Sequence, residues 1–207
     1  MSDQRVDIRS LWMRICCESD HKAFELLFSA CYPKLLNFCL LYVLQKEPAE
    51  EVVSDIFVKC WMDREQLKEV RNPEVYLFVA VRNRALNHLK KFSHYHVVPV
   101  GDMETSPILH PPDPAQDVER RELFFRMNEA IAMLPRQCQI IFRLIKEDGL
   151  KYKEVAEILH ISPRTVQTQL FRAIAKLRET LRPYLDQQAG RTLPSWVPLA
   201  LLFLHYL

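Results

Sequence analysis

Residues 93–118 divide this chain. These 26 positions hold Pro99, Pro107, Pro111, Pro112 and Pro114 with Gly101, and no lysine or arginine. Proline lacks a backbone N–H and its ring clashes with the preceding helical turn, so neither a helix nor a central strand runs through such a stretch. It reads as an extended tether. The 207-residue chain must therefore fold on either side of it. The pattern predicts an N-terminal domain over 1–92, a linker over 93–118, a second domain over 119–186 and an apolar tail over 187–207.

Both flanking segments carry helical periodicity. Phe24, Leu27, Phe28, Cys31, Leu35, Phe38 and Tyr42 recur in steps of three and four, the signature of one buried helix face. Pro33 lies inside this run and is expected to kink or divide the helix. Glu47, Pro48, Glu50 and Glu51 form a helix start, with proline and acids in the first turn. The helix that follows carries Val52, Val53, Ile56, Phe57, Cys60 and Trp61. Asn72 and Pro73 open another, over about 74–92, with Tyr76, Leu77, Ala80, Val81, Ala85 and Leu89 on one side. Only 3 glycines are present, too few for a phosphate-cradling loop or a barrel of tight turns. The expected class is all-α, with two small helical domains.

In the second domain, residues 150–182 read LKYKEVAEILHISPRTVQTQLFRAIAKLRETLR. Val155, Ala156, Ile158 and Leu159 mark a short helix. A break follows at His160 and Ile161, then Ser162 as N-cap and Pro163 as first helical residue. Val166, Leu170, Ile174, Leu177 and Leu181 form the buried stripe of a longer helix. This is a helix-turn-helix pattern. The second helix offers Arg164, Thr165, Gln167, Thr168, Phe171 and Arg172 near its N-terminus, where a recognition helix meets base edges in the major groove. An ordinary helical hairpin with a polar outer face is the plain alternative.

Net charge is only +2, but its distribution is uneven. Residues 75–101 hold no acid but include Arg82, Arg84, Lys90 and Lys91, and residues 164–182 form a second basic block. Basic blocks separated by an acidic one suggest two nucleic-acid faces and a spacer; ordinary solvated surface is the alternative. The 6 cysteines form no C-x-x-C pair and no His stands at finger spacing, so no metal site is expected. No Gly-rich loop, His-Glu metal motif or nucleophile elbow appears. The chain is expected to be no enzyme and to use no cofactor or small-molecule substrate. Residues 1–14 hold no secretory apolar core, which points to a cytoplasmic protein with reduced thiols.

The segment with Tyr152, Glu154, Val155, Ala156, Thr165 and Val166, preceded by MLPRQCQIIFRL at 133–144, resembles the C-terminal domain of ECF (extracytoplasmic function) sigma factors, members of the sigma-70 family. His160 departs from the glycine frequent at that turn. AEEVVSDIFVKCW at 49–61 resembles the acidic helix of the same family that docks on the clamp helices of core RNA polymerase. NPEVYLFVAVRNRALNHLKK at 72–91 resembles its promoter-melting helix. The resemblance implies a sigma factor that directs promoter recognition, melting and initiation, with core RNA polymerase and promoter DNA, both duplex and melted, as partners. It implies polymerase contacts at Glu51, Asp55 and Phe57. It implies contacts to the downstream element at Arg82, Asn83, Arg84, Asn87, Lys90 and Lys91, beside a base-capturing loop at 63–72. It assigns the upstream element to Arg164, Thr165, Gln167, Thr168, Phe171 and Arg172. A membrane-bound anti-sigma factor is a further implied partner. For Glu51 and Asp55 a solvated acidic face, and for Asn83 and Asn87 buried amides, stand as alternatives.

A stand-alone helix-turn-helix regulator is the rival reading; it leaves the 49–61 and 72–91 helices without a role. The tail, with Trp196, Leu199, Leu202 and Phe203, resembles an extension found in ECF sigma factors of the Bacteroidetes. Its apolar run is shorter than the about 20 residues of a membrane span. An autoinhibitory fold-back of the tail and simple completion of the C-terminal core are both open.

Overall fold

The computed structural model describes residues 7–93 and 118–188. Those residues are helical or lie in turns and loops, and no strand occurs among them. The order is α1 (Ile8–Glu18), α2 (His21–Leu40), α3 (Lys46–Met62), a 3₁₀ segment (Arg64–Glu69), α4 (Pro73–Ser93), α5 (Val118–Ala132), α6 (Arg136–Lys146), α7 (Tyr152–Leu159) and α8 (Pro163–Gln188). No helix of the described residues is long and apolar enough to cross a membrane. The tail residues Trp196, Leu199, Leu202 and Phe203, and most of the expected linker, lie outside the described residues.

The chain divides into two compact units, Met1–Gly101 with Asp148–Pro163, and Asp102–Glu147 with Arg164–Leu207. In the first, α2 packs against α1, α3 and α4. Leu27, Cys31, Leu35 and Phe38 form its inner face. Asp20 caps it: its carboxylate accepts the N–H groups of Lys22 and Ala23 and pairs with Arg14. The Ala23 N–H and then the Arg14 bond hold the Asp20 carboxyl below the usual aspartate range. α2 runs unbroken through Pro33, so of the two expected effects, a kink or a division, the proline does not divide the helix. One lost backbone bond costs less than exposing the stripes on both sides of it, so tertiary packing overrides the local penalty.

Helix α1 is the element that periodicity did not single out. Asp7 caps it through the N–H groups of Arg9 and Ser10, and Leu11, Trp12, Ile15 and Cys16 are buried. Asn72 caps α4, its Oδ1 accepting the Val75 N–H at 3.3 Å, with Pro73 as first helical residue. The buried side of α4 is Val75, Leu77, Phe78, Val81 and Ala85, while Leu89 is exposed. α7 packs on α4 within this unit. There Asn72 Nδ2 donates to Glu154 Oε1 at 3.0 Å, and Glu154 Oε2 accepts the Lys151 N–H at 2.7 Å. Two helix-capping side chains are thus bonded to each other.

The turn after α7 is built on His160 in the left-handed region, φ 55° and ψ 46°. The His160 N–H donates to Glu157 O and the Ile161 N–H to Ala156 O, the bond pair of a Schellman cap. In the second unit, Ile131, Ile141, Leu144, Leu170 and Leu177 are among the buried residues. A left-handed L-residue costs roughly 1–2 kcal/mol, and glycine avoids that at some expense in chain entropy. His160→Gly is expected to raise stability by about 0.5–1 kcal/mol, read as the urea midpoint at constant slope. A lowered midpoint would show that the imidazole contributes more than its backbone strain costs.

Candidate nucleic-acid interface

The inner face of α4 fixes its outer one. Asn83, Arg84, Asn87, Lys90 and Lys91 are exposed and Arg82 is half-buried. Asn83, Asn87 and Lys90 follow one another at steps of four and three, a single stripe. The two amides are exposed, so they are not buried structural amides. Arg84 Nη2 meets Asp55 Oδ2 of α3 at 2.8 Å, with both side chains about half exposed (57% and 48%). Two residues expected at different interfaces therefore bond each other in this state.

On α3, Glu51 and Asp55 point outward. Phe57 does not: it is 2% exposed and packs against Phe28, ring centroids 4.8 Å apart, and against Phe24 and Tyr32. The apolar residues that share the outer face are Val58, 62% exposed, and Met62, 71% exposed. The spacing 51, 55, 58, 62 carries that signal; the sequence pattern around Phe57 does not reveal which way its ring points.

The segment between α3 and α4 is tied at both ends and in the middle. The Gln66 N–H donates to Asp63 O and the Val70 N–H to Leu67 O. Leu67 O also accepts from Trp12 Nε1 of α1 at 3.1 Å. The Trp12 indole stands edge-on to Tyr76 of α4, centroids 5.7 Å apart; burial pushes the Tyr76 hydroxyl pKa up. Arg64 Nε donates to Ser19 Oγ at 2.9 Å, its Nη1 to Trp61 O at 2.8 Å, and its guanidinium lies over the Trp61 ring. Glu65, Gln66, Lys68, Glu69 and Arg71 are left exposed.

On α8, Val166, Leu170, Ala173, Ile174, Leu177 and Leu181 are buried, which turns Arg164, Gln167, Thr168, Phe171 and Arg172 to solvent and leaves Thr165 half-buried. Phe171 is 59% exposed. The Thr168 hydroxyl donates to Arg164 O at 3.0 Å, which leaves its methyl and lone pairs for a base edge. Gln169 is held from below, accepting from Cys138 Sγ at 3.0 Å. Burial raises the Cys138 thiol pKa, and Arg172 nearby acts against that. No group of three or more His, Cys, Asp or Glu side chains suited to a metal occurs among the described residues.

Two family models match the chain. The family model for Sigma-70 region 2 matches residues 27–94 and that for Sigma-70 region 4 matches residues 124–177. The chain is 23% identical over 177 residues to the RNA polymerase sigma-H factor of Pseudomonas aeruginosa, covering 81% of this chain and 91% of that protein. It is 25% identical over 181 residues to the ECF RNA polymerase sigma-E factor of Haemophilus influenzae, covering 80% and 91%. Its fold matches a sigma factor solved with the anti-sigma factor NepR from Bartonella quintana, with TM-score 0.60 and 22% identity, covering 78% and 98%. Two domains of this kind, in this order, spanning more than half of the chain, define an RNA polymerase sigma factor that acts in promoter recognition and transcription initiation. The chain belongs to the sigma-70 family, and within it to the ECF sigma factors.

An exposed ion pair such as Arg84–Asp55 contributes about 0–1 kcal/mol, so Arg84 can change partner at little cost. A double-mutant cycle with Arg84→Ala and Asp55→Ala should give a coupling below about 1 kcal/mol that vanishes near molar salt, where the Debye length is about 3 Å. A larger, salt-insensitive coupling would make Arg84 a structural residue.

Proposed function

We propose that this sigma factor divides its work among three outward faces. The observation that carries the reading is that the exposed polar residues of α3, α4 and α8 fall on the stripes left over when each helix buries its apolar side. The acidic face of α3, Glu51 and Asp55, continued by Val58 and Met62, meets core RNA polymerase; Phe57 serves it from inside by fixing the rotation of the helix. α4 binds the downstream promoter element, with Arg82, Arg84, Lys90 and Lys91 on the phosphates of the displaced strand and Asn83 and Asn87 on base edges. The loop 63–72 takes up an unstacked base, which offsets the few kcal/mol that extrusion costs. α8 reads the upstream element in duplex DNA through Arg164, Thr165, Gln167, Thr168, Phe171 and Arg172.

In this reading region 2 occupies residues 1–92, the linker 93–118, region 4 residues 119–186 and the tail 187–207. The protein acts in the cytoplasm, where its polymerase is. The relative solved with NepR supports an anti-sigma factor, membrane-bound in this proposal, as its regulator. The tail suits a Bacteroidetes-like member and holds the free protein inactive through Trp196, Leu199, Leu202 and Phe203. A stand-alone regulator needs no acidic α3 face and no basic α4 face, and is not favoured.

Gel shifts on promoter duplex with and without core polymerase test the reading. A specific shift is expected only with both proteins present; tight specific binding by the chain alone favours the stand-alone regulator. Arg172→Ala should cost about 1–3 kcal/mol at one base position if the guanidinium bonds that base bidentately. Equal loss on all sequences would make it a phosphate contact.

A further inference from the structure

The base-capturing role of residues 63–72 rests on the function proposed above, and it raises a physical question. A loop that selects one unstacked base must hold its polar groups within a fraction of an ångström of the productive geometry. Short loops between helices do not do so unless something fixes them. Here the ends are fixed by the helices, through the Asp63 N–H, which donates to Lys59 O of α3, and the Asn72 cap of α4. The middle is a 3₁₀ segment with mostly exposed side chains. It has no buried residue of its own to anchor it.

We infer that α1, through Trp12 and through Ser19 at its C-cap, is the positioning element that sets the base selectivity of this loop. Trp12 is 2% exposed, and its single polar atom is spent on Leu67 O, the same carbonyl that closes the 3₁₀ segment by accepting the Val70 N–H. An indole N–H can only donate, so the loop must present that carbonyl at one position for the buried nitrogen to be satisfied. The ring edge on Tyr76 ties the same residue to the start of α4. Ser19 supplies the second anchor. It stands in the left-handed region, φ 53°, which turns the chain out of α1, and its Oγ accepts from Arg64 Nε at the beginning of the segment. Arg64 bonds Trp61 O and stacks on Trp61 with its remaining groups. The loop is therefore held from α1 at residue 64 and at residue 67. The region 2 family match begins only at residue 27, so this role falls to a part of the chain outside that match. Trp12, Ser19 and Arg64 are positioning residues: they act through the loop and touch no DNA in this account.

Two conservative variants test this. Trp12→Phe keeps an aromatic ring beside Tyr76 and removes the N–H. Ser19→Gly removes the hydroxyl and suits the left-handed backbone. Each is compared with the wild type in two ways: hydrogen exchange of the amides at 65–71 in the free protein, and open-complex formation by the reconstituted holoenzyme on its start-site-mapped promoter and on versions substituted singly across the downstream element. One net hydrogen bond corresponds to about a two- to twelvefold equilibrium change. Exchange at 65–71 is expected to speed up by about that factor. The ratio of consensus to substituted promoter is expected to fall by a similar factor at one or two positions, with core affinity close to wild type. Unchanged exchange in both variants would overturn the positioning role and leave the function of the loop untouched. Faster exchange with unchanged base ratios would show that α1 holds the loop but that the loop does not select the base, which overturns the inference through the reading it rests on. An equal loss on every promoter would mark a general structural defect and also count against it.

Discussion

Aromatic packing on α2 determines what the first unit can present to a partner. Phe28 of α2 meets Phe57 of α3 with ring centroids 4.8 Å apart, and Phe38 of α2 meets Phe78 of α4 at 5.1 Å. Each contact sets the rotation of one helix about its axis. Burying a side chain of this size contributes roughly 1.5–3 kcal/mol, so turning α3 or α4 to face another way would forfeit several such contributions at once. With Phe57 and Phe78 turned inward, Glu51 and Asp55 face solvent on α3, and Asn83, Arg84 and Asn87 face solvent on α4. The outward faces of α3 and α4 follow from where the large rings are.

The surface interactions are of a different order. Arg84–Asp55 and Lys176–Glu179 are exposed pairs, worth a fraction of a kcal/mol each. Such residues can leave their partners for phosphates or for a polymerase surface with little loss of fold stability. Deep positions behave otherwise. The thiols of Cys31, Cys39 and Cys60 are pushed up to about 12 by burial, so they remain protonated and act as small core residues.

Much of this was legible in the amino-acid order because the signals are periodic. The α2, α3 and α4 stripes and the five-residue stripe of α8 repeat long enough to stand out from chance, and the Asn72–Pro73 start and the His160 turn are local chemistry. What escaped has physical causes. α1 is a short helix whose buried set, Leu11, Trp12, Ile15 and Cys16, spans little more than a turn, and its value lies in a contact with residue 67 that no local pattern encodes. Pro33 was expected to kink or divide α2, and it does not divide it, because the penalty is local while the compensation, packing against three helices, is tertiary. Phe57 matched a docking pattern by position, and only the ring partners on α2 reveal that it faces inward and that Val58 and Met62 face out. The Asn72–Glu154 bond joins residues 82 positions apart and has no trace in either local pattern.

A sigma factor of this kind opens promoter DNA only as part of a polymerase. Permanganate footprinting of unpaired thymines on a start-site-mapped promoter measures that opening directly. The account predicts reactive thymines around the start site when core polymerase and the chain are both present, none with either alone, and loss of the signal when Asn83 and Asn87 are both replaced by alanine while core binding is retained. Reactive thymines with the chain alone, or a promoter that stays unreactive in the presence of both proteins, would contradict it.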